Sequence, residues 1–126
     1  MQLVDTSAWI ETLTGSTLGK SLKKEFKSPE SCLVPTLVQY ELYKWLLREK
    51  TEEDAERVIA YTMMCEVVPL TSEIALRAAE ISREHGLHAT DAIIYATAQS
   101  ANVAIVTCDA HFEGLPQVRF FRKNHE

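Results

Sequence analysis

Short apolar runs rich in β-branched residues alternate along this chain with longer segments of helical periodicity. Strands that alternate with helical segments are typical of an α/β sheet with helices packed on its faces. The pattern of hydrophobic and polar positions therefore predicts the α/β fold class. The predicted strands are Leu3-Val4, Cys32-Leu33-Val34, Val67-Val68, Ala104-Ile105-Val106-Thr107 and Val118-Arg119-Phe120-Phe121.

Helical spacing and end signals predict helices between these strands. Residues 37–49 carry apolar side chains at helical spacing. A second helix begins at an imperfect capping box, Thr51 with Asp54, and runs to about Met64. A third begins near Ser72 and ends at Gly86, because glycine readily adopts the left-handed backbone that stops a helix. The apolar face predicted for helix 37–49 consists of Leu37, Tyr40, Tyr43 and Leu47.

The composition predicts one ordinary globular domain spanning residues 1–126. Of these residues 46% are hydrophobic and 25% charged, and no low-complexity tract or Gly/Ser linker interrupts them. The three cysteines are widely spaced and form no Cys-x-x-Cys pair, which favours a reduced intracellular protein. The sequence begins at once with Gln2-Leu3-Val4-Asp5, so we expect no signal peptide, and no apolar run approaches the roughly 20 residues of a membrane span. We therefore expect a soluble, cytoplasmic protein with no membrane association.

The net charge of -5 argues weakly against a protein that binds nucleic acid by general electrostatic attraction, because such domains are usually basic. The distribution of charge is more informative, since basic residues cluster while several acids lie in apolar segments. Solvated helix surface is the simplest interpretation of the basic clusters. These clusters are Lys20, Lys23, Lys24 and Lys27; Lys44, Arg48 and Lys50; and Arg119, Arg122 and Lys123.

Two acids follow predicted strands. Asp5 comes directly after Leu3-Val4, and Asp109 comes one residue after the strand that ends at Thr107. Ligands of open α/β sheets gather at the carboxyl ends of the strands, so both acids are candidate ligand-binding residues. Each acid also fits a simpler role as the N-cap of the helix or turn that follows.

Two further acids belong to apolar helical segments. Glu41 interrupts the apolar face of helix 37–49, so its carboxylate is expected at the edge of the core, where a charge is costly unless paired or metal-bound. An exposed Glu41 paired with Lys44 or Arg48 is equally consistent with the sequence. Asp91 opens a very apolar helix, where an acid in the first turn is also favoured by the helix dipole.

The functional hypothesis is that these four acids converge at one end of the sheet. Their mutual repulsion would then require bound cations, and Mg²⁺ and related ions prefer oxygen ligands. In the absence of a cation, the repulsion is expected to raise the pKa of at least one of these acids. Convergence therefore distinguishes a metal site from a set of unrelated helix caps.

Four segments, in this order along the chain, carry a resemblance to a known family. They are Leu3-Val4-Asp5-Thr6-Ser7, then Glu41 in an early helix, then Thr90-Asp91-Ala92-Ile93-Ile94-Tyr95-Ala96-Thr97-Ala98, and last Val106-Thr107-Cys108-Asp109-Ala110-His111-Phe112. Together they resemble a PIN domain, and the compact length is similar to that of the VapC toxins. The resemblance covers essentially the whole chain and implies a PIN-like three-layer fold, with a mostly parallel central sheet flanked by helices.

The resemblance implies a divalent-metal-dependent endoribonuclease. Asp5, Glu41, Asp91 and Asp109 then form an acidic quartet that holds Mg²⁺ or Mn²⁺, and Thr107 matches a small hydroxyl residue of the family's catalytic site. Carboxylates alone would repel an anionic phosphodiester, so bound ions are needed to reverse the local field. Because water rather than the ribose 2′-hydroxyl attacks, the products should carry a 5′-phosphate and a 3′-hydroxyl.

The same resemblance implies partners. RNA is the implied substrate, and the implied role is the toxin of a type II toxin–antitoxin system, held inactive by a cognate VapB-like antitoxin. A homodimer is also expected. Exposed aromatic residues are expected to contribute to a protein-binding surface, and the candidates are Tyr40, Tyr43, Trp45 and Tyr61.

Other functional classes compete with this interpretation. A haloacid-dehalogenase-type phosphatase needs a second Asp two positions after the first, where this chain has Ser7. A response-regulator receiver needs paired acids after the first strand and a lysine after a late strand, where this chain has Asp5-Thr6 and Thr107. The serious alternative is a non-catalytic PIN-like module that binds RNA or protein. Intact acids at all four positions argue against it.

Two residues near the candidate site keep open roles. Trp9 is a candidate for stacking on an RNA base, although a place in the core is at least as consistent with the sequence. His88 lies three residues before Asp91 and is not assigned to the metal ligands, because an isolated histidine is more often a surface residue.

Overall fold

The computed structural model describes residues 1–26 and 28–123, and five strands and six α-helices lie within them. The strands are β1 (Gln2–Val4), β2 (Cys32–Pro35), β3 (Glu66–Val68), β4 (Ala104–Thr107) and β5 (Val118–Phe120). The helices are α1 (Thr6–Leu13), α2 (Thr17–Lys23), α3 (Thr36–Glu49), α4 (Glu52–Met63), α5 (Ser72–His85) and α6 (Ala89–Ala101). The five predicted strands are thus confirmed, each to within one residue at either end.

The five strands form one parallel sheet with the order β3-β2-β1-β4-β5. In the central strand, Leu3 is in register with Leu33 of β2 on one side and Ile105 of β4 on the other. The chain winds outward from β1 to β3 and then crosses to β4 and β5. The winding direction therefore changes between β1 and β4, and the carboxyl ends of these strands form the crevice where open α/β sheets bind ligands.

The central strands are buried on both faces. Successive residues of a strand face opposite sides of a sheet, so burial of neighbouring residues requires cover on both sides. This burial explains why these strands appear in the sequence as continuous apolar runs, and it confirms the expected fold, a parallel sheet between layers of helices. The fully or almost fully buried residues are Leu3, Val4, Leu33, Val34, Ile105 and Val106.

The apolar face predicted for α3 is correct for Leu37 and Tyr43, which pack partly buried against the core, and wrong for Tyr40 and Leu47. The buried residues of this helix are Val38, Leu42 and Leu46, whereas Tyr40 is 63% exposed and Leu47 is 50% exposed. Apolar side chains occur on nearly every face of α3, so their spacing could not decide which face packs on the sheet. An apolar strip containing Tyr40 and Leu47 is left at the surface as a result.

The predicted helix ends are confirmed. The Thr51 hydroxyl accepts a hydrogen bond from the Asp54 N–H at 3.1 Å and caps α4. Gly86 ends α5 with a φ of 68°, in the left-handed region that favours glycine. None of the helices within the described residues combines the length and apolar character that a membrane span requires.

Candidate functional site

Asp5 lies at the carboxyl end of β1, directly before α1, and is only 4% exposed. Its N–H donates to the Val106 carbonyl at 2.9 Å, which continues the pairing of β1 with β4. The carboxylate atom Oδ2 accepts hydrogen bonds from Thr107 Oγ1 at 2.8 Å and from Ser7 Oγ at 2.9 Å. The Asp5 side chain makes no capping hydrogen bond to α1, so its carboxylate is held by hydroxyls rather than used as an N-cap.

Burial raises the pKa of Asp5 from 3.8 to about 6. The hydrogen bonds from Thr107 and Ser7 act in the opposite direction, because they stabilise the charged carboxylate. The nearby charge of Glu41 contributes a further, smaller increase to this pKa. Mutual repulsion, the cause expected from the sequence, is therefore secondary, and removal of the carboxylate from water is the main cause.

Glu41 lies on α3 and faces α1. The Thr6 hydroxyl, at the start of α1, donates to Glu41 Oε1 at 2.7 Å. Arg48, one of the two ion-pair partners that the sequence offered to Glu41, pairs with Glu49 at 2.9 Å. Glu41 is half-buried, so its carboxylate lies at the edge of the core as expected and is held by a hydroxyl group.

Asp91 and Asp109 form a second group, together with a residue that the sequence did not assign. Asp91 lies in the first turn of α6, and Asp109 follows β4. His111 Nδ1 lies 3.0 Å from Asp91 Oδ2 and 3.5 Å from Asp109 Oδ1. Asp109 Oδ1 also accepts the His111 N–H at 2.9 Å, so the simpler role of Asp109 as a cap is confirmed for a short 3₁₀ turn.

The hydrogen bond with Asp91, helped by the charge of Asp109, raises the pKa of His111. A positive imidazolium beside two carboxylates is favourable, so this ring partly offsets their repulsion when no metal ion is present. The His111 side chain is 60% exposed, compared with 31% for Asp109 and 14% for Asp91. This group is therefore open to solvent.

The four predicted acids lie at one end of the sheet in two groups rather than one cluster. We call Asp5 and Glu41, with their hydroxyl donors Thr6, Ser7 and Thr107, the hydroxyl half. Asp91, Asp109 and His111 form the histidine half, in which one potential ligand atom from each residue lies within 4.8 Å of the others. Among the described residues, this is the one group of three or more His, Cys, Asp or Glu side chains as close as that.

Thr107 connects the two halves. Its hydroxyl donates to Asp5 Oδ2 at 2.8 Å and accepts a hydrogen bond from the Asp109 N–H at 3.0 Å. Ser7 adds a second link, because its hydroxyl accepts from the Cys108 N–H at 2.9 Å while donating to Asp5. The ends of β1 and β4 are thereby fixed relative to each other by hydrogen bonds that are buried or partly buried.

Sequence reasoning missed His111. His111 could have been proposed from its position two residues after Asp109, because in a turn an Asp side chain often bonds the backbone two residues later and brings that residue beside it. His88, which had been considered, is exposed, and its ring centroid lies 5.8 Å from that of His111. Trp9 is 5% exposed and packs against Phe26, with ring centroids 6.2 Å apart, which favours the core role over base stacking.

The cysteines do not contribute to this chemistry. All three are free and buried, and burial raises the pKa of Cys65 to about 12 and that of Cys108 to about 11. A thiol must lose its proton to act as a nucleophile, so thiols with such pKa values are unreactive near neutral pH. The site chemistry therefore rests on carboxylates, hydroxyls and imidazole.

Comparison with known families identifies the fold. The PIN domain family model matches residues 3–117 of the chain. No curated protein sequence matches it.

Several solved structures have a similar fold. A chain of a toxin–antitoxin complex from Klebsiella pneumoniae is 21% identical and superimposes with a TM-score of 0.84, over 98% of this chain and 100% of that one. VapC20 of Mycobacterium tuberculosis, a toxin that cleaves the sarcin–ricin loop, is 22% identical with a TM-score of 0.76, over 94% and 99% of the two chains. A chain of the DNA-bound VapBC complex from Salmonella typhimurium is 20% identical and superimposes with a TM-score of 0.76, over 97% of this chain and 98% of that one.

Proposed function

This chain belongs to the PIN domain family, and from that premise we propose that it is a divalent-metal-dependent endoribonuclease, the toxin of a type II toxin–antitoxin system. The observation that carries the proposal is the pair of acids Asp5 and Asp109, which follow neighbouring parallel strands. The Thr107 hydroxyl links the Asp5 carboxylate to the backbone N–H of Asp109. Asp91 and Glu41 flank this pair from α6 and α3. Open α/β sheets bind ligands at this position.

The donor atoms suit Mg²⁺ or Mn²⁺. Both ions take carboxylate oxygen and water as ligands, and Asp91 and Asp109 offer carboxylate oxygens within 4.8 Å of each other. When bound, such an ion supplies charge neutralisation at the phosphodiester and lowers the pKa of a water molecule. We assign Asp5, Glu41, Asp91 and Asp109 as the residues that hold it.

The hydroxyl groups act by positioning the acids. Thr107 and Ser7 both donate to Asp5, which fixes its orientation and favours its charged form although it is buried. Thr6 orients Glu41 in the same way. Thr107 is therefore assigned as a positioning residue, and the acids as the residues that meet the ion.

RNA must approach this acidic edge against a net charge of -5, so positively charged side chains near the site are needed to attract it. Several residues of the basic clusters already form ion pairs within the protein, since Arg119 pairs with Glu25 at 2.8 Å and Arg122 with Glu113 at 3.1 Å. Lys27, a member of the first cluster, lies outside the described residues. Lys44 is exposed and lies one turn after Glu41 on α3, which makes it the proposed contact for an RNA phosphate.

The proposal is tested by an RNA cleavage assay with the purified chain, in Mg²⁺, in Mn²⁺ and in chelator. We expect cleavage that requires the ion, leaves a 5′-phosphate and a 3′-hydroxyl, and disappears in Asp5→Asn, which excludes a contaminating nuclease. Binding of RNA without cleavage in either ion would support the alternative, a non-catalytic PIN-like module. Cleavage that persists in chelator would contradict the metal-dependent mechanism.

We also propose an antitoxin partner for this chain. The fold neighbours include toxin–antitoxin complexes, and the apolar strip of α3 faces α4 across an open groove of about 550 Å³. Exposed apolar grooves of this kind commonly mark protein interaction sites. The groove is lined by Gln39, Tyr40, Tyr43, Lys44, Leu47, Ile59 and Met63.

The partner proposal is tested by co-purification with the product of a small adjacent gene. Met63→Asp should weaken the complex, whereas Leu76→Asp, an equally drastic change at an exposed position on α5 outside the groove lining, should not. Equal effects of the two variants would rule out this groove. A homodimer of the isolated chain is also proposed, and a strictly monomeric mass by light scattering would contradict it.

A further inference from the structure

His111 is placed against both carboxylates of the histidine half. Its Nδ1 atom lies 3.0 Å from Asp91 Oδ2 and 3.5 Å from Asp109 Oδ1. The ring is 60% exposed, so packing in the core does not impose this position. The hydrogen bond from the His111 N–H to Asp109 holds the residue in the turn beside the acids.

The separations among these atoms match those of neighbouring ligands around one small divalent ion. In an octahedral complex with metal–ligand distances of about 2.1 Å, adjacent ligand atoms are about 3 Å apart. The separations of 3.0 and 3.5 Å from Nδ1 are close to that value, and the three ligand atoms all lie within 4.8 Å of one another. An ion placed between the two carboxylates would therefore meet the imidazole as well.

We propose that His111 Nδ1 is a third protein ligand of the divalent ion bound by Asp91 and Asp109, and that it makes this site selective for Mn²⁺ over Mg²⁺. The inference rests on the proposed function, which supplies the ion. Imidazole nitrogen is a good ligand for transition metals, whereas Mg²⁺ keeps oxygen ligands and water. A mixed oxygen and nitrogen site therefore strengthens Mn²⁺ binding more than Mg²⁺ binding.

His88 provides a matched control. It is also exposed at this end of the molecule, with its ring 5.8 Å from that of His111, but it does not belong to the group of clustered ligand atoms. His88→Gln removes an imidazole from the same neighbourhood and leaves the histidine half intact. His111→Gln and His111→Ala remove Nδ1 while keeping the backbone hydrogen bond to Asp109.

The experiment uses the full chain without RNA. Calorimetric titration measures the Kd of Mn²⁺ and of Mg²⁺ for wild type, His111→Gln, His111→Ala and His88→Gln. Pulsed electron paramagnetic resonance of bound Mn²⁺ then detects the nuclear spin of a directly coordinated nitrogen. Melting curves in chelator verify that each variant is folded.

We expect nitrogen coupling in wild type and His88→Gln and its loss in both His111 variants. The Mn²⁺ Kd should rise about tenfold or more in the His111 variants, the size typical of changes close to a metal, while the Mg²⁺ Kd changes much less. Tight Mn²⁺ binding without nitrogen coupling, or equal losses for Mn²⁺ and Mg²⁺, would overturn the inference and leave the proposed nuclease intact. A wild type that binds neither ion would overturn both.

Discussion

The two halves of the candidate site hold their acids by different means. In the hydroxyl half, Asp5 is 4% exposed and accepts hydrogen bonds from Thr107 and Ser7. In the histidine half, Asp91 contacts an imidazole that is mostly exposed to solvent. One half is therefore fixed in the core beside the sheet, and the other is open to the solution.

This difference shows how a site can be prepared for a cation without containing one. Burial of Asp5 makes its charge unfavourable in the metal-free protein, so a bound ion relieves an existing cost. The histidine half gives an ion access from solvent, because the side chains of His111 and Asp109 are 60% and 31% exposed. If the two halves serve one site, changes in either half must affect metal binding and cleavage.

The largest expected effect comes from removing one charged ligand. Asp5→Asn, Glu41→Gln and Asp91→Asn should each lower RNA cleavage by at least about a hundredfold, because loss of metal-site groups commonly has effects of this size. Glu49→Gln, on the same helix as Glu41 but paired with Arg48, serves as a control and should cleave normally. Initial rates in Mn²⁺ measure the effect. Near wild-type rates in two of the three variants would contradict the assignment.

The contrast between the halves also explains what the sequence could predict. Asp5 and Asp109 were found because they follow strands whose continuous apolar runs are unmistakable in a buried parallel sheet. The division of the four acids into two groups was not predicted, because local sequence patterns contain no information on distances between residues far apart in the chain. The missing information was the direction of each side chain, which is set by packing.

Two other parts of the structure could not be predicted from the sequence. The buried face of α3 was predicted only in part, because both Leu42 and Tyr40 belong to apolar stripes of the same periodicity. His111 was overlooked because its role depends on the turn after β4, which brings its ring to Asp91 on α6. Apolar patterns thus predicted elements well and the relative positions of side chains poorly.

The next prediction concerns pH in chelator. Because the folded pKa of Asp5, about 6, lies above its unfolded value, folding favours the protonated form. The stability from this group is complete below the unfolded pKa and is lost as pH rises through 6, an effect of about 2 to 3 kcal/mol. Urea unfolding of wild type and Asp5→Asn between pH 4 and 7 measures it. As pH rises, the free energy of unfolding of Asp5→Asn should increase relative to that of wild type. A difference that does not change with pH would show that Asp5 does not titrate in this range.

A smaller effect is expected at the connection between the halves. Thr107→Val keeps the shape of a fully buried residue and removes the hydroxyl that links Asp5 to Asp109. Cleavage should fall about tenfold, the lower end for groups that orient metal ligands. The pH at which activity reaches half of its maximum should rise, because Asp5 loses a hydrogen bond that lowers its pKa. Reduced cleavage with an unchanged pH profile would mean that Thr107 is only structural.

The smallest effect separates the two roles of Asp109. Asp109→Asn retains an oxygen that can accept the His111 N–H, whereas Asp109→Ala loses this hydrogen bond at the turn. Thermal unfolding in chelator should show Asp109→Ala less stable by about 1 kcal/mol and Asp109→Asn nearly unchanged. Both variants should bind Mn²⁺ weakly, since both lack the charge. Wild-type Mn²⁺ affinity in Asp109→Asn would show that Asp109 caps the turn and does not bind the ion.

The claim that both halves form one metal site is tested most directly by the Mn²⁺-induced rise in melting temperature. An ion that binds only the folded protein raises its stability in proportion to RT ln(1 + [L]/Kd). The measurement compares wild type with Asp5→Asn from the hydroxyl half and Asp91→Asn from the histidine half. The account predicts a clear rise in wild type and its loss in both variants. A full rise in Asp5→Asn, with loss confined to Asp91→Asn, would contradict it and show that the two halves are separate sites.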